Sequence, residues 1–336
     1  MKEEGTGLRP RNQNREDLEM KEQFQQKTAG QEEETGSTRG HMAAVFTVAV
    51  WGTTFIATKI LLRGMAPAEI LFFRFLLAFL VLCAVCPRRM KLKEKKHELL
   101  FVGAGLFGIT FYYLLENVAL TYTLASNAGV IISVTPFFTA ILSHIFTKDE
   151  KLRPGFFIGF LTAIAGICLI SFNGASRFHV NPLGDLLELG AALAWSSYAV
   201  FSRKISRYGY NTIQVTRRTF FYGLVFMIPA LLLMDFRPDF SVLGNSTLLF
   251  NFLYLSLGAS ALCFVTWNTA VKKLGAVKTT IYIYMVPVVT VAASAIILDE
   301  KITWMSALGT ALTLAGLVIS EGRIKSKKEK EAAANY

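Results

Sequence analysis

What is scarce in this chain narrows it first. Four cysteines and four histidines in 336 residues leave little material for a disulfide framework or a metal centre. Cys83, Cys86, Cys168 and Cys263 all fall inside apolar runs. Cys83-x-x-Cys86 has neither a second pair nor a histidine near it, so the four read as small buried residues. The histidines His41, His97, His144 and His179 are scattered. His144 is a candidate proton relay near the end of one run, against the plainer reading of an interface histidine. There is no Ser-His-Asp order and no glycine-rich phosphate loop, so neither an enzyme nor an ATP-driven machine is expected, and no cofactor or metal. The first 40 residues mix acids with bases and lack the apolar core of a signal peptide. Charge is short as well. Only 18% of residues are charged against 53% hydrophobic, and the net charge of +11 is not gathered on a soluble basic face, which excludes nucleic acid as a partner.

What is present is apolar sequence in runs of about 20 residues, the length a helix needs to cross the hydrocarbon core. They cover roughly 42–62, 68–86, 98–121, 126–146, 154–173, 185–205, 213–235, 246–271, 276–298 and 302–321. The expected fold is an all-α membrane protein of ten transmembrane helices. A disordered polar tail over 1–41 and a short one over 322–336 flank two units, 42–173 and 185–321. With both termini in the cytoplasm, 27 of the 35 Lys and Arg fall in cytoplasmic segments and four outside. That bias predicts a multi-pass protein of the cell membrane in this orientation, its bilayer the obligatory partner.

The second unit echoes the first. The stretch Glu116–Lys151 and the stretch Trp267–Lys301 align Asn117 with Asn268 and Pro136 with Pro287 at an offset of 151 residues. Trp51, Lys59, Arg63 and Arg74 align with Trp195, Arg203, Arg207 and Arg218 at 144. Gly159 and Gly166 align with Gly309 and Gly316 at 150. Self-similarity at so few offsets indicates duplication. Five spans per unit is odd, so the second unit enters the bilayer from the other side. Two inverted five-helix repeats are the architecture of alternating-access transporters. The small residues of spans 5 and 10 suit close packing, as scaffold or as the faces of a homodimer.

Polar residues inside the runs share faces. Tyr112 with Glu116 and Tyr113 with Asn117 are i, i+4 pairs in span 3, and Cys263, Phe264, Trp267 and Asn268 match them in span 8. Span 1 sets Trp51, Thr54 and Thr58 on one face, and span 6 sets Glu188, Trp195, Tyr198 and Ser202. Asn127 opens span 4, and Lys278 and Tyr282 share a face in span 9. Polar groups in hydrocarbon must pair or line a cavity. Each alone reads as glue between helices; four spans together favour a cavity for a small substrate. Its candidates are Trp51, Thr54, Tyr112, Tyr113, Glu116 and Asn117 from the first unit with Asn127, and Trp195, Tyr198, Trp267, Asn268 and Tyr282 from the second. Pro136 and Pro287 read as helix kinks, either tolerated or shaping a midplane site.

The residues Trp51-Gly-Thr-Thr-Phe, Arg74, Asn117-Val-Ala-Leu-Thr-Tyr-Thr, Ala125-Ser126, Pro136 and Asp149-Glu150-Lys151 stand in order. Gly184-Asp185, Trp195, Asn268, Pro287 and Glu300 follow. In these the region from Met42 to Ser320 resembles the EamA family of the drug/metabolite transporter superfamily. The resemblance implies a ten-span, two-repeat permease that exports or exchanges small metabolites, often amino acids, through a cavity between its halves. The long polar N-terminal tail departs from the usual short one. A sugar-phosphate or nucleotide-sugar carrier is the alternative among transporters, with Arg217 and Arg218 as the candidate phosphate ligands. A receptor or scaffold that keeps the fold without transporting is the alternative outside them.

Glu116 is the sharpest expectation. An unpaired acid is costly at its depth, so an ion pair with Arg74 or Lys59 is expected. Glu116, Arg74, Lys59 and Glu188 are the gate or coupling candidates. The acid is open to three roles: a structural pair, an outer gate or proton-coupling carboxylate, or a contact for a substrate amine.

Overall fold

A segment in hydrocarbon must satisfy its own backbone polar groups, which favours the helix. The computed structural model describes residues 37–54, 56–58, 60–122, 128, 131–147, 154–172, 182–233, 236, 241, 244–297 and 303–322, and among them all regular structure is helical. Among the described residues, five helices are long and apolar enough to span a bilayer: α1 (Ser37–Thr58), α2 (Pro67–Val85), α3 (Lys95–Tyr122), α7 (Thr212–Leu233) and α8 (Ser246–Leu274). Between and after them lie α4 (Thr135–Phe146), α5 (Pro154–Phe172), α6 (Pro182–Ser206), α9, running from Ala276 to Ile297, and α10 (Trp304–Gly322). Side chains are distributed for a lipid solvent. Leu80, Leu161, Leu232 and Leu233 point outward, while Glu188, Ser196, Thr216 and Ser256 are fully enclosed. The chain is a multi-pass membrane protein.

α1 begins at Ser37, inside the stretch expected as tail. Its first turns are held because His41 Nδ1 and the Tyr282 hydroxyl of α9 share a hydrogen bond of 2.6 Å. Two helices change pitch midway. α3 passes through a π-helical stretch at Leu106–Phe111, and α8 through one at Tyr254–Leu262; each ends one residue before the aromatic and polar face that the sequence aligns, Tyr112 onward and Cys263 onward. A π turn carries an extra residue and recurs at functional sites. Gly108 allows the first to be packed closely, since a Cβ there would overlap the Tyr198 ring of α6.

Pro136 stands in the first turn of α4, after the turn at Ser133–Val134, where its missing N–H costs nothing. Pro287 follows a 3₁₀ turn at Tyr282–Tyr284 inside α9. Both prolines therefore restart a helix after a break.

α5 and α10 pack on one another. A Cβ on Gly166 would come within 2.5 Å of the Gly309 carbonyl and the Thr313 amide, and one on Gly316 within 2.6 Å of the Gly159 carbonyl. The aligned glycines thus face each other within one chain. That occupies the small-residue faces expected as scaffold or as dimer faces, and the homodimer expectation has no support.

Candidate functional site

Three tryptophans from three helices meet at the centre. The rings of Trp51 and Trp195 lie 5.1 Å apart, Trp51 and Trp267 5.0 Å, and Trp195 and Trp267 5.7 Å, in edge-on and tilted geometries that aromatic quadrupoles favour. Phe264 of α8 is the hub beneath them, 5.8 Å from both Trp51 and Trp195, 5.7 Å from Phe75 and 5.1 Å from Phe220.

Beside this cluster a cavity holds about 580 Å³ of unfilled space, its open mouth included. α1 contributes Trp51, Thr54 and Thr58, α2 contributes Arg74, and α6 contributes Trp195. α3 contributes Tyr112, Tyr113 and Glu116; Ile132, Ile283 and Val286 complete the wall. The π stretch of α8 positions two of these residues. Trp51 Nε1 donates to the Ala259 carbonyl at 3.0 Å, and Arg74 Nε donates to Ser260 Oγ at 2.9 Å. Neither Ser260 nor Phe264 was among the expected site residues; the small-residue run Gly258-Ala-Ser-Ala is the one trace of this shelf in the sequence, and it went unread.

One of the two expected pairs is absent: Arg74 and Glu116 both line the cavity, but no ion pair joins them, and the alternative partner Lys59 lies outside the described residues. The Arg74 guanidinium instead lies 4.8 Å from the Tyr113 ring centroid and 5.1 Å from that of Phe75, so aromatic faces serve as its counter-charge. Glu116 is 9% exposed, and its Oε2 has no hydrogen-bond partner. Glu188, fully enclosed on α6, has none at either oxygen and lies within electrostatic reach of Glu116 and Tyr112. The indole N–H groups of Trp195 and Trp267 are likewise unmatched. Leaving a buried polar group unpaired costs about 1–3 kcal/mol. The site therefore holds donors and acceptors in surplus around an aromatic box.

Six of the expected substrate residues line this cavity: Trp51, Thr54, Tyr112, Tyr113, Glu116 and Trp195. Trp267 backs it through its ring contacts. Asn268 is committed elsewhere: its Oδ1 accepts from Tyr198 Oη at 2.9 Å and Ser202 Oγ at 2.6 Å, and its Nδ2 donates to Thr216 Oγ1 at 3.1 Å, tying α6, α7 and α8. Asn117 reaches the Pro67 carbonyl at 3.5 Å, and Tyr282 holds His41. Lys59 and Asn127 lie outside the described residues. His144 is exposed on α4. Arg217 donates to the carbonyls of Cys86 and Arg88, while Arg218 pairs with Glu98, which also accepts from Tyr222 at 2.5 Å; neither arginine lines the cavity.

The model of the EamA-like transporter family matches this chain over residues 38–172 and again over 182–321. A protein of Archaeoglobus fulgidus named as an uncharacterized transporter is 30% identical over 292 residues, covering 85% of this chain and 99% of its own length. A protein of Escherichia coli named as a probable amino-acid metabolite efflux pump is 27% identical over 300 residues, 87% of this chain and 98% of its own. A crystal structure superposes with a TM-score of 0.69 at 22% identity, over 87% of this chain and 99% of that one, a likeness of fold.

Proposed function

From its membership of the EamA-like transporter family, to which this chain belongs over both of its units, we propose that it is a secondary transporter of small zwitterionic or neutral amphipathic metabolites. Amino acids and related compounds come first, exported or exchanged by alternating access. Its ten spans form two inverted five-helix repeats with both termini in the cytoplasm. The paired π stretches of α3 and α8 and the mutual packing of α5 and α10 support the repeat. The names of relatives such as the Escherichia coli efflux pump support the substrate class.

One observation carries the reading. The cavity sets a carboxylate with an unmatched oxygen and a guanidinium among four large aromatic rings. A zwitterion supplies an ammonium for Glu116 and a carboxylate for Arg74, and the rings take an apolar side chain. A sugar phosphate needs several cations on one group. Arg217 and Arg218 are engaged at the α2–α3 end of the bundle, which counts against that class. Glu116 and Glu188 are the proposed coupling carboxylates: two like charges within reach of each other, Glu188 unmatched at both oxygens and Glu116 at one, take up a co-transported proton most readily.

The test is uptake of labelled amino acids into proteoliposomes holding purified protein, with and without an imposed pH gradient and without ATP. Saturable flux that responds to the gradient is expected. A broad panel with no saturable flux under any gradient would overturn the transporter reading.

A further inference from the structure

A basic strap joins α2 to α3, away from the cavity. From 88 to 96 it carries six Lys and Arg against one acid, Glu94. Met90 is buried and Leu92 partly so, both packed with the central apolar cluster, while Arg88, Arg89, Lys91, Lys93 and Lys95 are exposed. The backbone is fastened by α7 and by the turn before it. Arg217 donates to the carbonyls of Cys86 and Arg88, and Gln214 Nε2 donates to the Arg88 carbonyl at 3.2 Å. The Lys93 amide donates to Tyr210 Oη at 3.0 Å. Tyr210 Oη in turn shares a hydrogen bond of 2.8 Å with Nδ1 of His97, which is buried where the strap enters α3. The strap is therefore pinned at its start, its middle and its end.

Its charges are what the fold leaves unanswered. Lys96 pairs with Glu94 at 2.6 Å, and Glu98 is taken by Arg218. Among the described residues, no ion pair, hydrogen bond or ring contact engages the side chains of Arg88, Arg89, Lys91, Lys93 or Lys95. Arg217 meets carbonyls in place of an acid, so the clamp adds positive charge to the strap it holds. Like charges so close repel one another, and a link that only joined two helices would gain nothing from them. Orientation during insertion asks for positive charge in a loop, but it does not ask for the loop to be pinned. The strap also lies where hydrocarbon ends. Val85 in the last turn of α2 and Leu99 just inside α3 are 65% and 71% exposed, as side chains facing lipid tails are. Arg88 follows the first by three residues, and Lys95 precedes the second by four. The chemistry found at that depth of a bilayer is the phosphodiester headgroup. Long Arg and Lys stems reach it while their methylenes stay over apolar surface.

We propose that the strap is a binding site for an anionic phospholipid of the adjoining leaflet. Arg88, Arg89, Lys91 and Lys93 take the headgroup, and the acyl chains run along the outward faces of α2 and α3 past Val85 and Leu99. The lipid bridges the ends of two helices and so steadies them. This rests on the membrane fold alone and holds whether or not the chain transports. The full-length protein in a neutral detergent is titrated with phosphatidylglycerol and with phosphatidylcholine of the same chains. Bound lipid is counted by native mass spectrometry, and melting is followed in parallel. Retention of phosphatidylglycerol over phosphatidylcholine by about tenfold or more is expected, with a rise in melting temperature. The double variant Arg89→Gln/Lys91→Gln weakens that retention about tenfold, while its melting temperature without lipid holds, because neither side chain is engaged by the fold. Lys272→Gln/Lys273→Gln removes the same charge from exposed positions at the same end, where Arg203 of α6 reaches the Val271 carbonyl, and costs far less. Arg89→Lys/Lys91→Arg keeps both charges and keeps the lipid. Equal retention of the two lipids would overturn the site, since charge would not be recognised. Equal losses in the two glutamine variants would overturn it as well, leaving only net charge, and so would loss of the lipid in the charge-keeping variant. Inorganic phosphate at the lipid's concentration leaves phosphatidylglycerol bound; displacement would make this a site for a free anion. A polyglutamate peptide that bound where phosphatidylglycerol did not would assign the strap to an acidic protein and overturn the lipid.

Discussion

The faces that begin at Tyr112 on α3 and at Cys263 on α8 align at one offset, and each follows a π stretch, yet they do opposite things. On α3, Tyr112, Tyr113 and Glu116 open onto the cavity. On α8, Phe264 and Trp267 are 0% exposed and fill the space between helices, and Asn268 is saturated by three partners. One copy is wall and the other is foundation. The two aligned stretches share a backbone course; the side chains decide which of them faces the cavity. A carboxylate at position 116 and an indole at 267 make the cavity one-sided in a frame that is close to two-sided.

That contrast can be broken by substitutions made in matched pairs. The largest effect belongs to Trp267→Ala, which hollows the aromatic core and costs about 3–5 kcal/mol. Loss of folded yield and of the thermal transition in detergent is expected. Tyr112→Ala, on the cavity wall, keeps the transition and loses flux. If both melt alike, the division into wall and foundation is wrong. Next is Asn268→Ala, which strands the hydroxyls of Tyr198 and Ser202 at about 1–3 kcal/mol for a buried group left unpaired, while Thr216 keeps its bond to the Thr212 carbonyl. Asn117→Ala gives up a single long contact to the Pro67 carbonyl, and its melting shift stays under about 1 kcal/mol equivalent.

The π stretches separate by a smaller margin. Gly108→Ala forces a methyl into the Tyr198 ring, and overpacking of that kind costs about 1–3 kcal/mol. Gly258→Ala meets nothing closer than 3.6 Å, so it is neutral or stabilising by about 0.4–1 kcal/mol through the unfolded chain. Paired denaturation curves in the same detergent check both. Glu116→Gln has the smallest effect on stability and the sharpest on function. With no ion pair to Arg74 to lose, the melting temperature holds or rises, while flux loses its response to a pH gradient. A marked loss of stability would show that the carboxylate is structural, and an unaltered pH response would show that coupling lies elsewhere.

Much of the fold was legible because hydrocarbon imposes simple rules. Runs of about 20 apolar residues mark helices, and the glycines of spans 5 and 10 announced a close contact. The site was legible in part. Aromatic and polar residues at helical spacing picked out Trp51, Tyr112, Glu116 and Trp195, which line the cavity. The same pattern put Asn268 and Tyr198 there too, although they hold one another. Spacing reports which residues share a face, and it is silent on whether that face meets a cavity or another helix.

By itself the sequence determined the membrane-spanning helical class and the family, because each depends on hydropathy and order along one chain. Only the tertiary structure decided that Arg74 rests on Tyr113 and Ser260 instead of meeting Glu116. It alone set Ala259 and Ser260 as the shelf beneath Trp51 and Arg74. The reason is rotational. A π turn inserts a residue and swings everything after it about the helix axis, and a break before proline lets the next segment take a new direction. Which side chains then meet depends on the relative rotation of several helices at once, a quantity no spacing within one helix contains.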